Sequence, residues 1–433
     1  MSTHLVVREY DLLLLGERSR QDPVGAALAR PAFEALDALA RGALSGVLTS
    51  TRQGAVPALK LGSHVGVLRT PDGTVIEVLP KTHERGEDVG ASRALLLRML
   101  SATDVRFRVA PPADLDPARM PLFEVFLRYA LEGFKAAIRR GVPHAYVTVE
   151  EERSGFRGRL HLSRQVRQPA HRAHLLHVQY DEYLPNRPET RLVRLSLERI
   201  QRMTVLDASR RLARELLLAL EGVPPCQDVQ RDLQAWRTDR GHAHFAPLED
   251  LCRLVLHELN PLAGGSSSRA LSVLFPMERV FEAYVAAQLR AQQPGWNVRT
   301  QVTERALGDV AGSPAFPLRP DLHVTLPGGE VVIADTKWKR LVSNPPTYGV
   351  SNADAYQMLS YSEVFQQGQP APRLWLIYPR LQGLPEHPAP IRLPGGRSLT
   401  VVLLNLDQPD LFFPTSSDRS TADAPALESV LPS

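Results

Sequence analysis

Arg319-Pro-Asp321 and, a short turn later, Val331-Val-Ile-Ala-Asp335-Thr-Lys337 are the stretch on which the fold turns. The apolar run from Val331 to Ile333 predicts a buried strand that delivers Asp335 at its end. Asp321 begins the strand before it, and Pro327-Gly-Gly329 turns the chain between the two. Side chains alternate along a strand, so Asp335 and Lys337 share one face and Thr336 is expected to point away. A three-residue turn at Pro327 to Gly329 sets Asp321 opposite Asp335. A two-residue turn would place the carboxylates on opposite faces and spoil the site, so the reading makes a demand on register.

Two carboxylates side by side repel each other, and a hard divalent cation, Mg²⁺ or Mn²⁺, relieves that cost. Such a cation lowers the pKa of water and polarises a phosphoryl oxygen. Lys337 beside the pair can orient or help deprotonate the attacking water and offset charge building on a phosphate. Those are the parts needed to hydrolyse a phosphodiester.

Outward from this stretch the chain reads as mixed α/β. A helix is expected over 276–293, with Pro in its first turn, then strands near 296–302, 321–326 and 331–337. A helix over 352–366 and strands over 373–378 and 399–404 follow. Upstream, residues 1–110 read as a β-rich domain, with a hairpin signal at Val65-Gly-Val-Leu68, Pro71-Asp-Gly73 and Val75-Ile-Glu-Val-Leu79. A helix is expected over 91–100 and a break at Pro111-Pro112. Leu12 to Leu15 is a strand or a helix face. Residues 111–263 read as mainly helical, with apolar residues at helical spacing from Leu122 to Phe134, two further helical patterns over 187–220, and a short basic β-like stretch at 155–160. Gly264-Gly-Ser-Ser-Ser268 is the expected boundary of a carboxy-terminal domain over 264–413. The Ser/Thr/Asp/Ala/Pro-rich tail 414–433 is expected to be disordered.

Composition bounds the function. The 433 residues, 43% hydrophobic and 23% charged, fit two or three globular domains. No apolar run reaches the roughly 18 residues that a membrane span needs. The opening Met-Ser-Thr-His lacks a basic region followed by an apolar one, so no signal peptide is expected. Two cysteines exclude a disulfide scaffold and a Cys₄ zinc site, and fit a reducing cytoplasm. A net charge of +4 permits nucleic-acid contact without arguing for it. Only five of the 51 basic residues are lysine (Lys60, Lys81, Lys135, Lys337, Lys339), the bias of a GC-rich genome. Where this chain keeps lysine, a compact ammonium is doing something a planar guanidinium cannot.

The order Pro-Asp, spacer, Asp-x-Lys at the end of a hairpin resembles the PD-(D/E)xK nuclease superfamily. The preceding helix in that fold often supplies a glutamate, and Glu282 stands in Phe281-Glu-Ala-Tyr284. Some lineages carry Gln-x-x-x-Tyr on the following helix, and Gln357 and Tyr361 match it. Phe281-Glu282, Asp335-Thr-Lys-Trp-Lys339 and Asn352-Ala-Asp-Ala-Tyr-Gln-Met-Leu-Ser-Tyr361 further resemble the McrC family. So do Gly66-Val-Leu68 with Ile76-Glu-Val-Leu-Pro-Lys81, Phe156-Arg-Gly-Arg159, and Tyr180-Asp-Glu-Tyr183 with Asn186-Arg187. The likeness reaches to about residue 410. It implies a PD-(D/E)xK domain with a mixed central sheet and a Mg²⁺-dependent DNA endonuclease subunit of a restriction system specific for modified cytosine. Asp321 and Asp335 would bind metal, the Thr336 carbonyl would join them, Lys337 would be catalytic, and Glu282 and Gln357 would assist. The partners implied are double-stranded DNA and an AAA+ GTPase of McrB type, docked on the amino-terminal part. The chain has no G-x-x-x-x-G-K-[ST], indeed no Gly-Lys pair, so no bound nucleotide is expected in this chain.

Other features have plainer readings. His171, His174 and His177, and His242 with His244, have metal-like spacing but no acidic or Cys partner at ligand spacing, and read first as ordinary histidines. Arg157 and Arg159 could contact DNA phosphates or the motor, or form a solvated basic face. Glu282 could serve the metal site or pair with Arg279 on the helix surface. Trp338 reads as core. Two rival functions stay open: a non-catalytic adaptor that activates the motor, and a stand-alone nuclease of the same superfamily.

Overall fold

The computed structural model describes residues 3–16, 25–42, 44–81, 88–102, 120–237, 239–256, 271–303, 305–341, 347–366, 371–380 and 388–406. The break at 111–112, the linker at 264–268 and the tail from 414 lie outside the described residues. The architecture is mixed α/β, with several sheets.

The functional stretch lies in a six-stranded mixed sheet. Its order is Asn297–Thr300, Leu322–Thr325, Val331–Thr336, Arg373–Pro379, Arg397–Leu404 and Ile391–Leu393. The Val331–Thr336, Arg373–Pro379 and Arg397–Leu404 strands run parallel, and the outer pairings are antiparallel. Parallel strands need a crossover, and the Asn352–Phe365 helix supplies one. Ser351 caps this helix, its hydroxyl accepting from the Asp354 amide.

Both faces of the sheet are covered, which is why its strands read as near-continuous apolar runs. Val332, Ala334, Trp375 and Ile377 share a core with Phe281, Val285 and Leu289 of the Met277–Gln292 helix. Ile333, Leu374 and Leu376 pack with Met358, Tyr361 and Phe365 of the Asn352–Phe365 helix. Asp335 follows Ile333 on the second face by alternation.

The amino-terminal part holds two four-stranded sheets. One runs His4–Arg8, Val75–Leu79, His64–Arg69, Leu271–Pro276; the other runs Ala26–Leu28, Leu12–Leu15, Val56–Leu61, Leu48–Gln53. The expected hairpin is present, with Gly66 opposite Val78. The boundary expected at 264 is crossed by hydrogen bonding: Leu271–Pro276 pairs antiparallel with His64–Arg69 and completes the first sheet. The middle region is helical as read at Leu122–Ile138, Pro188–Met203 and Asp207–Ala219. It also carries a three-stranded sheet: the short Arg159–Leu160 strand lies in the basic β-like stretch expected at 155–160, while the nine-residue strands Ala145–Arg153 and Leu176–Leu184 go beyond the elements named from the sequence. In its first strand the half-buried Ala145, Val147 and Val149 alternate with exposed residues, and the charged run from Glu150 to Arg153 cuts that period short.

Two contacts tie the site-bearing strand to the amino-terminal sheet. Trp338 Nε1 donates to Glu9 Oε1 at 2.8 Å, and the Arg340 guanidinium donates to the Lys81 carbonyl at 2.8 and 3.2 Å. Trp338 is core, as expected.

The joint between the two parts is closest at Gly66, which has φ +132°. A Cβ there would lie 2.0 Å from the Val273 carbonyl oxygen. Gly66→Ala should therefore lower stability by about 2 kcal/mol or more, through strain and a displaced strand. Urea denaturation of the full chain measures it.

Candidate active site

The register meets the demand of the sequence. Leu322 pairs with Ala334 and Thr325 with Val331, which places residue 321 across from residue 335. The Leu326 amide donates to the Glu330 carbonyl, leaving Pro327 to Gly329 as a three-residue turn, with Gly329 at φ +81°.

Asp335 is 2% exposed at the end of an otherwise apolar strand. Its Oδ1 accepts from Gln357 Nε2 at 3.2 Å, and Lys337 Nζ lies 2.6 Å from Oδ2. That contact is an ion pair without hydrogen-bond geometry, so Oδ2 is a buried oxygen with no hydrogen bond of its own. Burial first, and then the Asp321 charge, push the Asp335 carboxyl above the usual range, against the pull of Lys337.

Lys337 continues the parallel ladder, its amide donating to the Ile377 carbonyl at 2.9 Å. Its Nζ donates to Gln357 Oε1 at 2.9 Å and stands 3.6 Å from Asp354 Oδ1. Burial would lower its pKa, but Asp335, Asp354 and Asp321 outweigh that and raise it.

Asp321 is fixed from the strand it faces. The Thr336 amide and hydroxyl both donate to Asp321 Oδ2 at 2.7 Å. Thr336 was expected to point away; instead its hydroxyl reaches the site. The amide lies beyond the last rung of the antiparallel ladder, and the Asp321 carboxylate takes the place of the next strand residue. Glu282, from the Met277–Gln292 helix, is drawn in by Gln301, whose Nε2 donates to Glu282 Oε1 and, at 3.4 Å, to Asp321 Oδ1. Burial pushes the Glu282 carboxyl up to about 7, helped by Asp321 and Asp335 and opposed by the Gln301 hydrogen bond. Gln357 and Tyr361 meet as their helical spacing predicts, at 2.8 Å, and the Tyr361 hydroxyl donates to the Arg319 carbonyl at 3.1 Å.

Every sequence-predicted site residue is thus brought to one place. Two others were missed. Gln301 follows the Asn297–Thr300 strand at φ +52° and carries no motif. Asp354 looks like an ordinary first-turn carboxylate, yet it bridges Lys337 and Lys339, with Lys339 Nζ at 3.1 Å.

The donor set fits a hard cation. Asp335 Oδ2 is buried without a hydrogen bond, and burial and mutual repulsion leave Asp335 and Glu282 hard to ionise. No group of three His, Cys, Asp or Glu side chains able to hold a metal occurs among the described residues. Asp321 and Asp335 would offer the one or two carboxylates that Mg²⁺ takes when water and substrate phosphate complete its shell.

The family described as McrBC 5-methylcytosine restriction system component matches residues 59–379. The chain is similar to one in the refined half-complex from the tetradecameric assembly of Thermococcus gammatolerans McrB AAA+ hexamers with bound McrC. The identity is 19% and the TM-score 0.65, over 93% of this chain and 94% of that one. A chain of the cryo-EM structure of the Thermococcus gammatolerans McrBC complex is 20% identical, with a TM-score of 0.46 over 70% of this chain and 90% of that one. No curated protein matches. No helix among the described residues is long and apolar enough to cross a membrane.

Glu282 titrates higher in the fold than its ordinary 4.5, so its ionisation opposes folding as pH rises from 4.5 to about 7. Glu282→Gln should remove that loss. The variant should gain about 1 kcal/mol over wild type at pH 8 relative to pH 4.5, after discounting for solvent screening. Denaturant midpoints at the two pH values measure it.

Proposed function

The chain belongs to the family of McrBC 5-methylcytosine restriction system components, and on that premise we propose that it is the endonuclease subunit of such a system. It cleaves modified double-stranded DNA by Mg²⁺- or Mn²⁺-dependent phosphodiester hydrolysis, through a PD-(D/E)xK domain. Its partner is an AAA+ GTPase of McrB type, which it stimulates. The similar structure from Thermococcus gammatolerans is titled as McrB hexamers with bound McrC. We assign the motor contact to the amino-terminal part, 1–110, as the family resemblance of the sequence implies. The observation that carries the reading is Asp321 facing Asp335 across the hairpin, with Lys337 2.6 Å from Asp335 at the end of a buried strand. Nothing structural calls for three charged groups there.

Asp321 and Asp335 would hold the cation, with the Thr336 carbonyl beside them. When bound, the cation polarises the phosphoryl oxygen and acidifies water. The remaining work falls to this chain's side chains. Thr336 fixes the Asp321 carboxylate through two donors, and Gln357 fixes Asp335 Oδ1 and Lys337 Nζ with the two ends of one amide. Lys337 Nζ, kept charged, stabilises the negative charge that grows on the phosphate oxygens. Glu282, poised near neutrality, takes a proton from the attacking water. The Tyr361 bond to the Arg319 carbonyl sets the Arg-Pro-Asp segment against the crossover helix.

Asp335→Ala and Lys337→Ala should each lower the cleavage rate about 10³-fold or more. Lys337→Arg should not restore it, because a planar guanidinium over Asp335 and Gln357 would fill the space that the phosphate oxygen needs. EDTA should abolish cutting. The assay is cleavage of methylated and unmethylated plasmid, with and without the AAA+ partner and its nucleotide. Cutting that survives Lys337→Ala would overturn the assignment. Partner stimulation without any cutting would favour the adaptor.

A further inference from the structure

Past Lys337 the site-bearing strand leaves the sheet, and Trp338, Lys339 and Arg340 form one side of a cleft of about 310 Å³. Glu9, Tyr10 and Lys81 of the amino-terminal part form the other. The cleft adjoins the candidate site through one carboxylate: Asp354 stands 3.6 Å from Lys337 Nζ and 3.1 Å from Lys339 Nζ. Three of the chain's five lysines, Lys81, Lys337 and Lys339, therefore border one continuous region, in a chain that elsewhere uses arginine almost throughout.

The acid in the cleft does not oppose an anion directly. Glu9 is 1% exposed, and its oxygens are taken by Trp338 Nε1, the Lys81 amide and the Ser63 hydroxyl. It holds the walls together. Tyr10 is the reverse case: 42% exposed, at φ +65° in a tight turn closed by Asp11 N to Arg8 O. A bulky residue in that conformation is costly, and nothing about the turn requires an aromatic ring. The ring is displayed at the mouth of the cleft.

We propose that this cleft holds one nucleotide of the DNA strand being cut, its phosphate among Lys81, Lys339 and Arg340 and its sugar or base against Tyr10. Cations with an exposed aromatic surface are the combination that grips a polynucleotide strand without reading its sequence. The identity of the ligand rests on the nuclease reading above. The cleft would steer the strand so that the next phosphate reaches Lys337.

The test is fluorescence anisotropy of the full chain with a short labelled DNA duplex and with its single strand, in EDTA, across a salt series. Lys81→Ala and Lys339→Ala should each weaken binding several-fold near 0.1 M salt and lower the slope of log K against log salt by about 1. Tyr10→Ala should weaken binding with the slope unchanged, and Tyr10→Phe should retain it. Lys60→Ala, which removes the same charge from a residue that does not line the cleft, should leave both unchanged. Wild type that does not bind, Lys81→Ala with an unaltered slope, or Lys60→Ala matching Lys81→Ala would each overturn the proposal. Plasmid cleavage by Asp335→Ala separates the two readings. If Asp335→Ala cuts like wild type, the nuclease assignment fails whatever the binding series gives. If it is inactive while the cleft variants bind normally, the cleft alone fails.

Discussion

Burying a carboxylate costs several kcal/mol unless its charge is met, and Asp335 is buried at the end of a strand of valine, isoleucine and alanine. Two groups meet that charge: Lys337 from the same strand and Gln357 from the crossover helix. Much of the local architecture follows from this need. The strand must extend past Asp335 so that Lys337 returns to its face. The helix must begin soon enough to place Gln357 over the strand end, and Ser351 starts it there. Asp321 must come up opposite, and the three-residue turn brings it. Even so the pairing is incomplete: Asp335 Oδ2 has an ammonium near it but no hydrogen bond. A fold selected for stability alone would place an apolar residue here.

The Asn297–Thr300 edge contributes more than a strand. Gln301, in the left-handed region just beyond it, spends its backbone on Asp321 and its side chain on Glu282. One residue thereby links the first helix of the domain to the hairpin. On the far side Trp338 and Arg340 bind the amino-terminal sheet directly after Lys337. Leu271–Pro276 joins that same sheet immediately before the helix that carries Glu282. The amino-terminal part therefore grips the candidate site at two points, through the start of one element and the end of another. Any change imposed on that part by a bound partner has a short covalent route to Glu282 and Lys337.

What could be read from the sequence was what depends on neighbours along the chain. The apolar run before Asp335, the turn that sets register, and the four-residue spacing of Gln357 and Tyr361 are local patterns, and each stands as read. Gln301 and Asp354 escaped because their roles are made by distant segments; alone, one is an edge glutamine and the other a helix-start carboxylate. The Thr336 hydroxyl was misread for a related reason. Alternation holds within a ladder, and residue 321 lies just outside it. The Ala145–Arg153 strand keeps its period of two only over Ala145, Val147 and Val149, too short a stretch before the charged run Glu150 to Arg153 to stand out in the sequence. Leu271–Pro276 follows the Gly/Ser-rich stretch in sequence yet pairs with the amino-terminal sheet, because the composition of a linker does not state the partner of the strand after it.

The scarcity of lysine gives the site its chemical direction. An ammonium has three donors. At Lys337 one is given to Gln357 Oε1 at 2.9 Å, Asp335 Oδ2 at 2.6 Å is met as an ion pair, and Asp354 at 3.6 Å is too far to take a hydrogen bond. An N–H is left for an incoming acceptor. A guanidinium in its place would spend its planar fork on Asp335 and Gln357 and bring its bulk into the space the acceptor needs. The three carboxylates around Lys337 raise its pKa and favour the charged ammonium. A charged donor beside two carboxylates that invite a cation is an arrangement matched to a phosphate oxygen. It sits where the strand ends and the cleft begins, so a phosphate there can belong to a chain that continues in both directions.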